Sequence, residues 1–142
     1  MTTIQENDVL IVDKVTPKFR GYQRGDIIVF VPSLQKNAFV KRIIGLPGET
    51  IKIRKQEVLV CDYKETDDSR CEVLDEDYLD EDTITMPMCN VTTFHVEPNS
   101  FVVFGDNRPG STDSRCCFGA GCNGDTPYLV PVDNIIGKAS LR

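Results

Sequence analysis

Several residue types and patterns are scarce or missing in this sequence. It has no tryptophan and one histidine, His95, and no Gly-x-Ser-x-Gly nucleophile motif accompanies that histidine, so a Ser-His-Asp triad is disfavoured. No apolar run approaches the about 18–20 residues of a membrane span. Lysine and arginine (16) are outnumbered by aspartate and glutamate (22), which gives a net charge of -6. This balance argues against a nucleic-acid partner bound by neutralising phosphates.

The sequence also lacks a Cys-x-x-Cys pair, although it contains six cysteines: Cys61, Cys71, Cys89, Cys116, Cys117 and Cys122. Without such pairs or histidine partners a zinc site is disfavoured, and no metal or other cofactor is predicted. The even count favours disulfides over free thiols and leaves 15 possible pairings. Because vicinal cysteines rarely pair with each other, one of Cys116 and Cys117 could join Cys122. The other could then reach Cys89 or the Cys61/Cys71 region.

What the sequence does contain is a series of short strand patterns rich in β-branched and aromatic residues and separated by turns. They predict a mainly-β fold with little helix. Predicted core strands lie near residues 8–13, 26–31, 38–44, 101–104 and 134–140, with 14–25 as a loop. Residues 51–53 and 58–60 predict a hairpin, and 83–86 and 93–96 predict further strands. We expect residues 1–49 and 99–142 to form a β-core, and 50–98 a β-rich inserted subdomain.

Ten acidic residues are concentrated between positions 65 and 82 of this insertion. They lack the Asp-x-Asp-x-Asp-Gly order of a calcium-binding loop. The run is therefore predicted to be a solvated loop.

Lys41 is the first candidate for chemistry, because its predicted strand is otherwise apolar except for Arg42. Side chains alternate along a strand, so Lys41 shares a face with Phe39 and Ile43. Burial disfavours the ammonium and lowers its pKa, which makes a lysine usable as a general base. The alternative is an edge-strand lysine whose stem lies over apolar surface.

A polar loop follows the apolar strand at 101–104 and contains the remaining candidates. Ser111 and Ser114 carry hydroxyls that could orient a neutral lysine. Asp113 and Arg115 could form an ion pair that fixes the loop. Asp106, Asn107 and Arg108 are typical of side chains that bond backbone groups in a turn.

Three segments together resemble the conserved boxes of the type I signal peptidases. Residues 24–30 read Arg-Gly-Asp-Ile-Ile-Val-Phe, and residues 40–49 read Val-Lys-Arg-Ile-Ile-Gly-Leu-Pro-Gly-Glu. The third segment is Gly-Asp-Asn-Arg at 105–108, followed by Ser111, Asp113, Ser114 and Arg115. The resemblance implies a signal-peptidase-like β-core interrupted by an insertion.

The resemblance also implies a Ser/Lys protease that removes signal peptides from exported preproteins, its partners. By match, Lys41 is the general base, Ser111 orients it, and Asp113 and Arg115 hold the site's framework. Asp106, Asn107, Arg108 and Ser114 are assigned to the same framework. The strand bearing Lys41 lines the substrate pockets of the family, so Phe39, Val40, Val29 and Leu10 are candidate substrate contacts.

The first residues of the chain depart from the family pattern. The family's nucleophile box reads Ser-Met-x-Pro-Thr-Leu, and the match places Thr3 at its Thr and Ile4 at its Leu. Thr2 then stands where the family has proline, and the nucleophilic serine would lie two residues before Met1. The serine is thus absent from this chain, which is expected to be inactive alone.

Two explanations of the missing serine follow. In the first, the chain is a fragment of a membrane-anchored enzyme, cut just after the nucleophile, whose catalytic domain lies on the extracytoplasmic side of the cell membrane. In the second, it is a natural non-catalytic relative that binds peptides or assists surface assembly. A self-cleaving repressor-type Ser/Lys domain is disfavoured, because no DNA-binding segment is present.

Overall fold

A computed structural model describes residues 9–122 and 127–141 and shows a mainly-β protein with little helix. The strands are β1 (Leu10–Asp13), β2 (Ile27–Phe30), β3 (Phe39–Gly45), β4 (Glu49–Arg54), β5 (Glu57–Asp62), β6 (Glu72–Val73), β7 (Thr93–His95), β8 (Ser100–Phe104), β9 (Val130–Pro131) and β10 (Ile135–Leu141). The helices are α1 (Thr16–Arg20) and three 3₁₀ segments, Asp68–Arg70, Ser114–Gly119 and Val132–Asn134. The predicted fold class is confirmed.

The first sheet contains all five predicted core strands, in the order β1-β10-β2-β3-β8-β9. Every pairing in it is antiparallel. The loop predicted over 14–25 is wrong in one detail, because α1 lies within it. Pro17 occupies the first turn of that helix, and Gly21 ends it at φ 72°. Proline and glycine therefore mark the ends of a short helix here, as well as the turns predicted from them.

The second sheet has the order β6-β5-β4-β7 and lies almost entirely within residues 50–98. The predicted hairpin is confirmed as β4 and β5, with Ile51 opposite Val60. The predicted strand at 83–86 is wrong. The Thr85 backbone N–H bonds Gln56 O at 3.0 Å, and its buried hydroxyl accepts a bond from Arg108. These polar groups thus find partners outside any strand ladder.

The two sheets share a hydrophobic core. One cluster joins residues of the first sheet to residues of the second: Ile44, Val102 and Phe104 with Ile51, Ile53, Val58, Phe94, Val96 and Leu129. The other lies on the opposite face of the first sheet and contains Ile28, Phe30, Ile43, Phe101, Val103, Phe118 and Val130. Because β8 contributes to both clusters, it is buried on both faces. The division of the chain at 49/50 and 98/99 remains a prediction.

The six cysteines approach one another in three pairs. Their sulfur atoms lie at bonding distance in Cys61 with Cys71, Cys89 with Cys116, and Cys117 with Cys122. Cys117 thus lies beside Cys122 and Cys116 beside Cys89, which are two of the contacts suggested for the vicinal cysteines. Over the described residues, no helix is long and apolar enough to cross a membrane.

Candidate functional site

The candidate site lies where β8 ends beside β3. The pairing of β8 with β3 begins at Phe104, which lies opposite Arg42, and continues to Gly45, the last residue of β3. On the other side of β3, β2 continues the pairing as far as Phe39. Residues 39–41 therefore extend past the end of β8, and the polar loop at 105–111 turns beside them.

Lys41 and Ser111 contact each other directly across this junction. The Lys41 Nζ donates a hydrogen bond to Ser111 Oγ at 3.0 Å, across 70 positions of sequence. Ser111 is buried, while Lys41 is half-buried. A methyl group on Gly105 would lie 1.8 Å from Ser111 Oγ and 3.4 Å from Lys41 Nζ. Glycine at position 105 therefore makes room for the Lys41–Ser111 contact.

A cavity of about 220 Å³ opens on this pair. It is lined by Ile27, Val40, Lys41, Arg42, Gly105, Asp106, Asn107, Gly110 and Ser111. The cavity thus brings together residues from all three boxes recognised in the sequence.

The four candidate substrate contacts lie in different places. Val40 lines the cavity, and Val29 is its direct partner across the β2–β3 ladder. Phe39 belongs to an aromatic cluster, with ring centroids 6.1 Å from Phe30 and 5.7 Å from Phe118. Leu10 lies on β1, which β10 separates from β2. The structure therefore brings Val40 to the cavity and Val29 beside it, and it places Phe39 and Leu10 elsewhere.

Burial lowers the pKa of the Lys41 amine below its ordinary value of 10.5. Among nearby charges, Asp113 and Asp106 oppose this change and Arg115 reinforces it. The hydrogen-bond partner of Lys41 is a neutral hydroxyl, which can accept from or donate to an amine. The Lys41 amine is therefore easier to deprotonate than the amine of an exposed lysine.

Asp113 and Arg115 form a buried ion pair below the loop. Asp113 Oδ1 accepts from Arg115 Nε at 3.0 Å, and its Oδ2 accepts from Arg115 Nη2 at 2.9 Å. The same carboxylate accepts the Gly105 N–H at 2.8 Å. Arg115 Nη2 also donates to Arg108 O at 2.8 Å. The pair thus fixes the backbone at Gly105 and Arg108, within the loop that carries Ser111.

Asp106 makes a contact that the sequence did not indicate. It accepts two bonds from Arg42, from Nε at 2.9 Å and from Nη2 at 2.7 Å, whereas it was expected to bond backbone groups of its own turn. Arg42 Nη1 also donates to Gly25 O at 2.9 Å. This bidentate ion pair connects all three boxes, since Arg42, Asp106 and Gly25 come from different ones.

The other framework residues have distinct positions. Ser114 Oγ accepts the Val103 N–H at 3.0 Å and donates to Tyr128 O at 2.7 Å, so it bonds backbone groups and not Lys41. Asn107 is exposed at the cavity. Arg108 is buried and donates from Nε to Gly105 O at 2.8 Å.

Sequence reasoning missed the acidic partner of Arg108. Glu76, within the run predicted to be a solvated loop, accepts bonds from both terminal nitrogens of this guanidinium, one of them at 3.0 Å. Asp68 of the same run binds Lys52 and Arg54. For Glu76 the prediction is wrong, because the buried Arg108 requires an acidic partner, whereas Asp68 is exposed as predicted although it also binds two cations. No local sequence pattern indicated that Arg108 would be buried and would need an acidic partner.

His95 lies on β7, in the second sheet. Its Nδ1 is 3.0 Å from Thr50 Oγ1, so the ring nitrogen has a partner on the neighbouring strand. The residues matched to the nucleophile box, 1–4, lie outside the described part of the chain. Across the residues described, no group of three or more His, Cys, Asp or Glu is arranged to hold a metal ion.

Comparison with known proteins places this fold and these motifs in one family. The family described as "Signal peptidase, peptidase S26" matches residues 1–142. A signal peptidase I from Leptolyngbya laminosa is 37% identical over 150 residues, covering 100% of this chain and 63% of the relative. Signal peptidase I U of Bacillus subtilis (strain 168) is 35% identical over 144 residues, covering 98% of this chain and 67% of the relative.

The structural comparison agrees. The crystal structure of a signal peptidase I from Enterococcus faecalis V583 superposes with a TM-score of 0.57 and 27% sequence identity, covering 84% of this chain and 97% of that one. The fold is therefore that of a signal peptidase I. The chain belongs to the signal peptidase family, peptidase S26. It spans 63% of the length of the Leptolyngbya relative.

Proposed function

We propose that this chain is part of a membrane-anchored serine endopeptidase that removes signal peptides from exported preproteins. Lys41 is its general base, and Ser111 holds the Lys41 amine in position. The observation that carries the proposal is the 3.0 Å contact between Lys41 Nζ and Ser111 Oγ at a cavity lined by the three matched boxes.

The chemistry requires a neutral amine beside a serine hydroxyl that attacks the scissile carbonyl. Lys41 would take the proton from that hydroxyl as the carbon–oxygen bond forms, and could later return it to the leaving amine. The lowered pKa increases the fraction of Lys41 able to accept the proton near neutral pH. Because Ser111 already binds the Lys41 amine from one side, the lone pair is directed rather than free to rotate.

The substrate would be an extended segment lying along residues 39–41, where β3 extends past β8. Such a segment can form main-chain hydrogen bonds to a strand, while alternate side chains enter pockets. Val40 and Ile27 give the cavity an apolar wall, and its volume of about 220 Å³ suits small residues near the cut. Val29 would support Val40, and Phe39 and Leu10 are not assigned to this pocket.

The nucleophilic serine of the parent enzyme is proposed to lie two residues ahead of Met1, on the family pattern. The 142-residue chain alone should then fail to cleave peptides. The test compares this chain with a version that begins with Ser-Met ahead of Met1, called the extended chain below, and with its Ala-Met counterpart. The substrate is a signal-peptide segment with small residues at the first and third positions before the cut.

Cleavage by the extended chain, with none by the Ala-Met version or the original chain, is the expected result. Lys41-dependent hydrolysis by the original chain would refute the proposed position of the nucleophile. Failure of the extended chain, despite binding of the substrate, would favour the second candidate function. That candidate is a non-catalytic protein that uses the same β3 edge to bind peptides or to assist surface assembly.

Three further features belong to the same proposal. The parent protein would be anchored in the cell membrane, with this part on the extracytoplasmic side, where an oxidising environment suits the three cysteine pairs. The pairs would be disulfides, which intact mass before and after reduction can test. Residues 1–49 and 99–142 would form the catalytic core, with 50–98 as an insertion in it.

A further inference from the structure

The arginines that surround the candidate site all have partners in the inserted region. Arg108 binds Glu76 through both terminal nitrogens, and its Nη1 also donates to Thr85 Oγ1 at 2.7 Å. Arg115 Nη1 donates to Met86 O at 3.2 Å. Residues 76–86 of the insertion therefore contact the buried side of the loop that carries Ser111.

A second contact reaches Arg42, next to Lys41 in sequence. The Tyr78 ring lies under the Arg42 guanidinium, with 4.0 Å between the guanidinium carbon and the ring centroid. The Tyr78 hydroxyl donates to Glu76 Oε2 at 2.6 Å. Burial raises the pKa of this phenol, so it stays protonated and remains a donor. Glu76 and Tyr78 thus form one unit that binds both Arg108 and Arg42.

We propose that Glu76 and Tyr78 are positioning residues for Lys41, which they orient through Arg108 and Arg42 without touching it. Glu76 fixes Arg108, whose Nε holds Gly105 O at 2.8 Å, and Gly105 lies against both Ser111 Oγ and Lys41 Nζ. Tyr78 fixes Arg42, which holds Asp106 at the cavity wall. The inference rests on the proposed function, because it concerns the same general base.

Direct charge effects are separable from positioning at this site. The charged groups that act on the Lys41 amine are Asp113 and Asp106, which favour its protonated form, and Arg115, which opposes it. Ser111 is its uncharged partner. Removal of the Glu76 carboxylate would by charge alone lower the pKa of Lys41, because a negative charge favours the ammonium. A rise in that pKa after substitution of Glu76 would therefore report a loosened loop that admits water to the amine.

The test is an NMR titration of the Lys41 side chain in the 142-residue chain, which requires no nucleophile and no substrate. In Glu76→Gln the buried Arg108 loses its carboxylate, and Gly105 loses a fixed anchor. We expect the pKa of Lys41 to rise towards its ordinary value, and a rise of about one unit would reduce the neutral fraction about tenfold. Glu76→Asp keeps the charge, so the pKa of Lys41 should rise less in this variant than in Glu76→Gln.

Asp77→Asn is the matched control. It also removes one carboxylate charge, but from an exposed side chain at the position next to Glu76. It should leave the titration of Lys41 unchanged. Tyr78→Phe keeps the ring under Arg42 but removes the donor to Glu76, so it should produce a smaller rise in the same direction. If Glu76→Gln does not fold, Tyr78→Phe decides the question.

The outcomes separate this inference from the proposed function. An ordinary pKa for Lys41 in the unmodified chain would overturn the role of Lys41 as general base. A lowered pKa that stays the same in folded Glu76→Gln, or in Tyr78→Phe if the first variant is unfolded, would overturn the positioning role alone. An equal rise in Asp77→Asn would also overturn it, since the effect would then not depend on the contact between Glu76 and Arg108.

Discussion

Lys41 and Lys52 are two strand lysines in neighbouring sheets, and they differ in their partners. Lys52, on β4, is only 3% exposed, and its Nζ donates to the Asp68 carboxylate at 2.7 Å. Lys41, on β3, is less buried, and its Nζ donates to the Ser111 hydroxyl at 3.0 Å. A carboxylate favours the charged ammonium, whereas burial beside a neutral hydroxyl favours the free amine. A buried lysine therefore becomes a candidate base when its direct partner is uncharged.

The largest expected effect separates the two lysines by function. In the extended chain, Lys41→Met removes the proposed general base and should reduce cleavage by about 10²–10⁴-fold. Lys52→Met is the control, since it removes a strand lysine of the other sheet and should leave cleavage within the same order of magnitude. Steady-state rates on a signal-peptide substrate measure both. Similar losses of cleavage in the two variants would show that the different partners of Lys41 and Lys52 do not decide which lysine is needed for cleavage.

A second substitution gives Lys41 the kind of partner that Lys52 has. Ser111→Asp places a carboxylate beside the amine, so the pKa of Lys41 should rise, and each unit lowers its neutral fraction about tenfold at a given pH. The pH profile of kcat/KM in the extended chain should move to higher pH. Ser111→Asn has nearly the same size without the charge and should not cause that movement. An unmoved profile in Ser111→Asp would contradict the account.

A third substitution tests the space that the Lys41–Ser111 contact requires. A methyl group at Gly105 would overlap Ser111 Oγ, so Gly105→Ala should destabilise the protein by about 1–3 kcal/mol. In Gly110→Ala the new methyl would lie 3.1 Å from the side chain of Asn107, which is exposed and free to shift. Gly110→Ala is the control and should destabilise the protein by less than Gly105→Ala. Urea unfolding measures both, and equal stabilities would show that the contact tolerates displacement.

The smallest expected effect is on the pH dependence of stability. The folded pKa of Lys41 is lowered, so the unfolded chain binds more protons between that value and the ordinary 10.5. The free energy of unfolding of the unmodified chain, relative to Lys41→Met, should therefore rise with pH across this window. Below the lowered pKa the full penalty for burying the charged amine remains. A difference that stays constant from neutral pH to pH 10 would contradict the lowered pKa.

Much of the fold could be predicted from local sequence patterns. The core strands and the β4–β5 hairpin were found because their apolar residues alternate or cluster between turn residues. The strand predicted at 83–86 shows the limit of this reasoning. Its Thr-Ile-Thr-Met pattern resembles a strand, but Thr85 instead makes bonds to Gln56 and Arg108. Such competition depends on distant residues and cannot be seen in a local window.

The candidate site could also be predicted in part from local sequence patterns. Asp113 and Arg115 are two residues apart, so their ion pair could be anticipated from the sequence. Lys41 and Ser111 were brought together through the family resemblance. The ion pairs of Arg42 with Asp106 and of Arg108 with Glu76 span long stretches of chain, and no local pattern indicated them.

The pKa of Lys41 in the unmodified 142-residue chain is the most direct test of the account. An NMR titration of its side chain, assigned by comparison with Lys41→Met, measures that pKa without substrate or nucleophile. The account predicts a value below the ordinary 10.5, because burial beside the neutral Ser111 hydroxyl disfavours the ammonium. A value at or above 10.5 would contradict it, since Lys41 would then be a charged strand lysine.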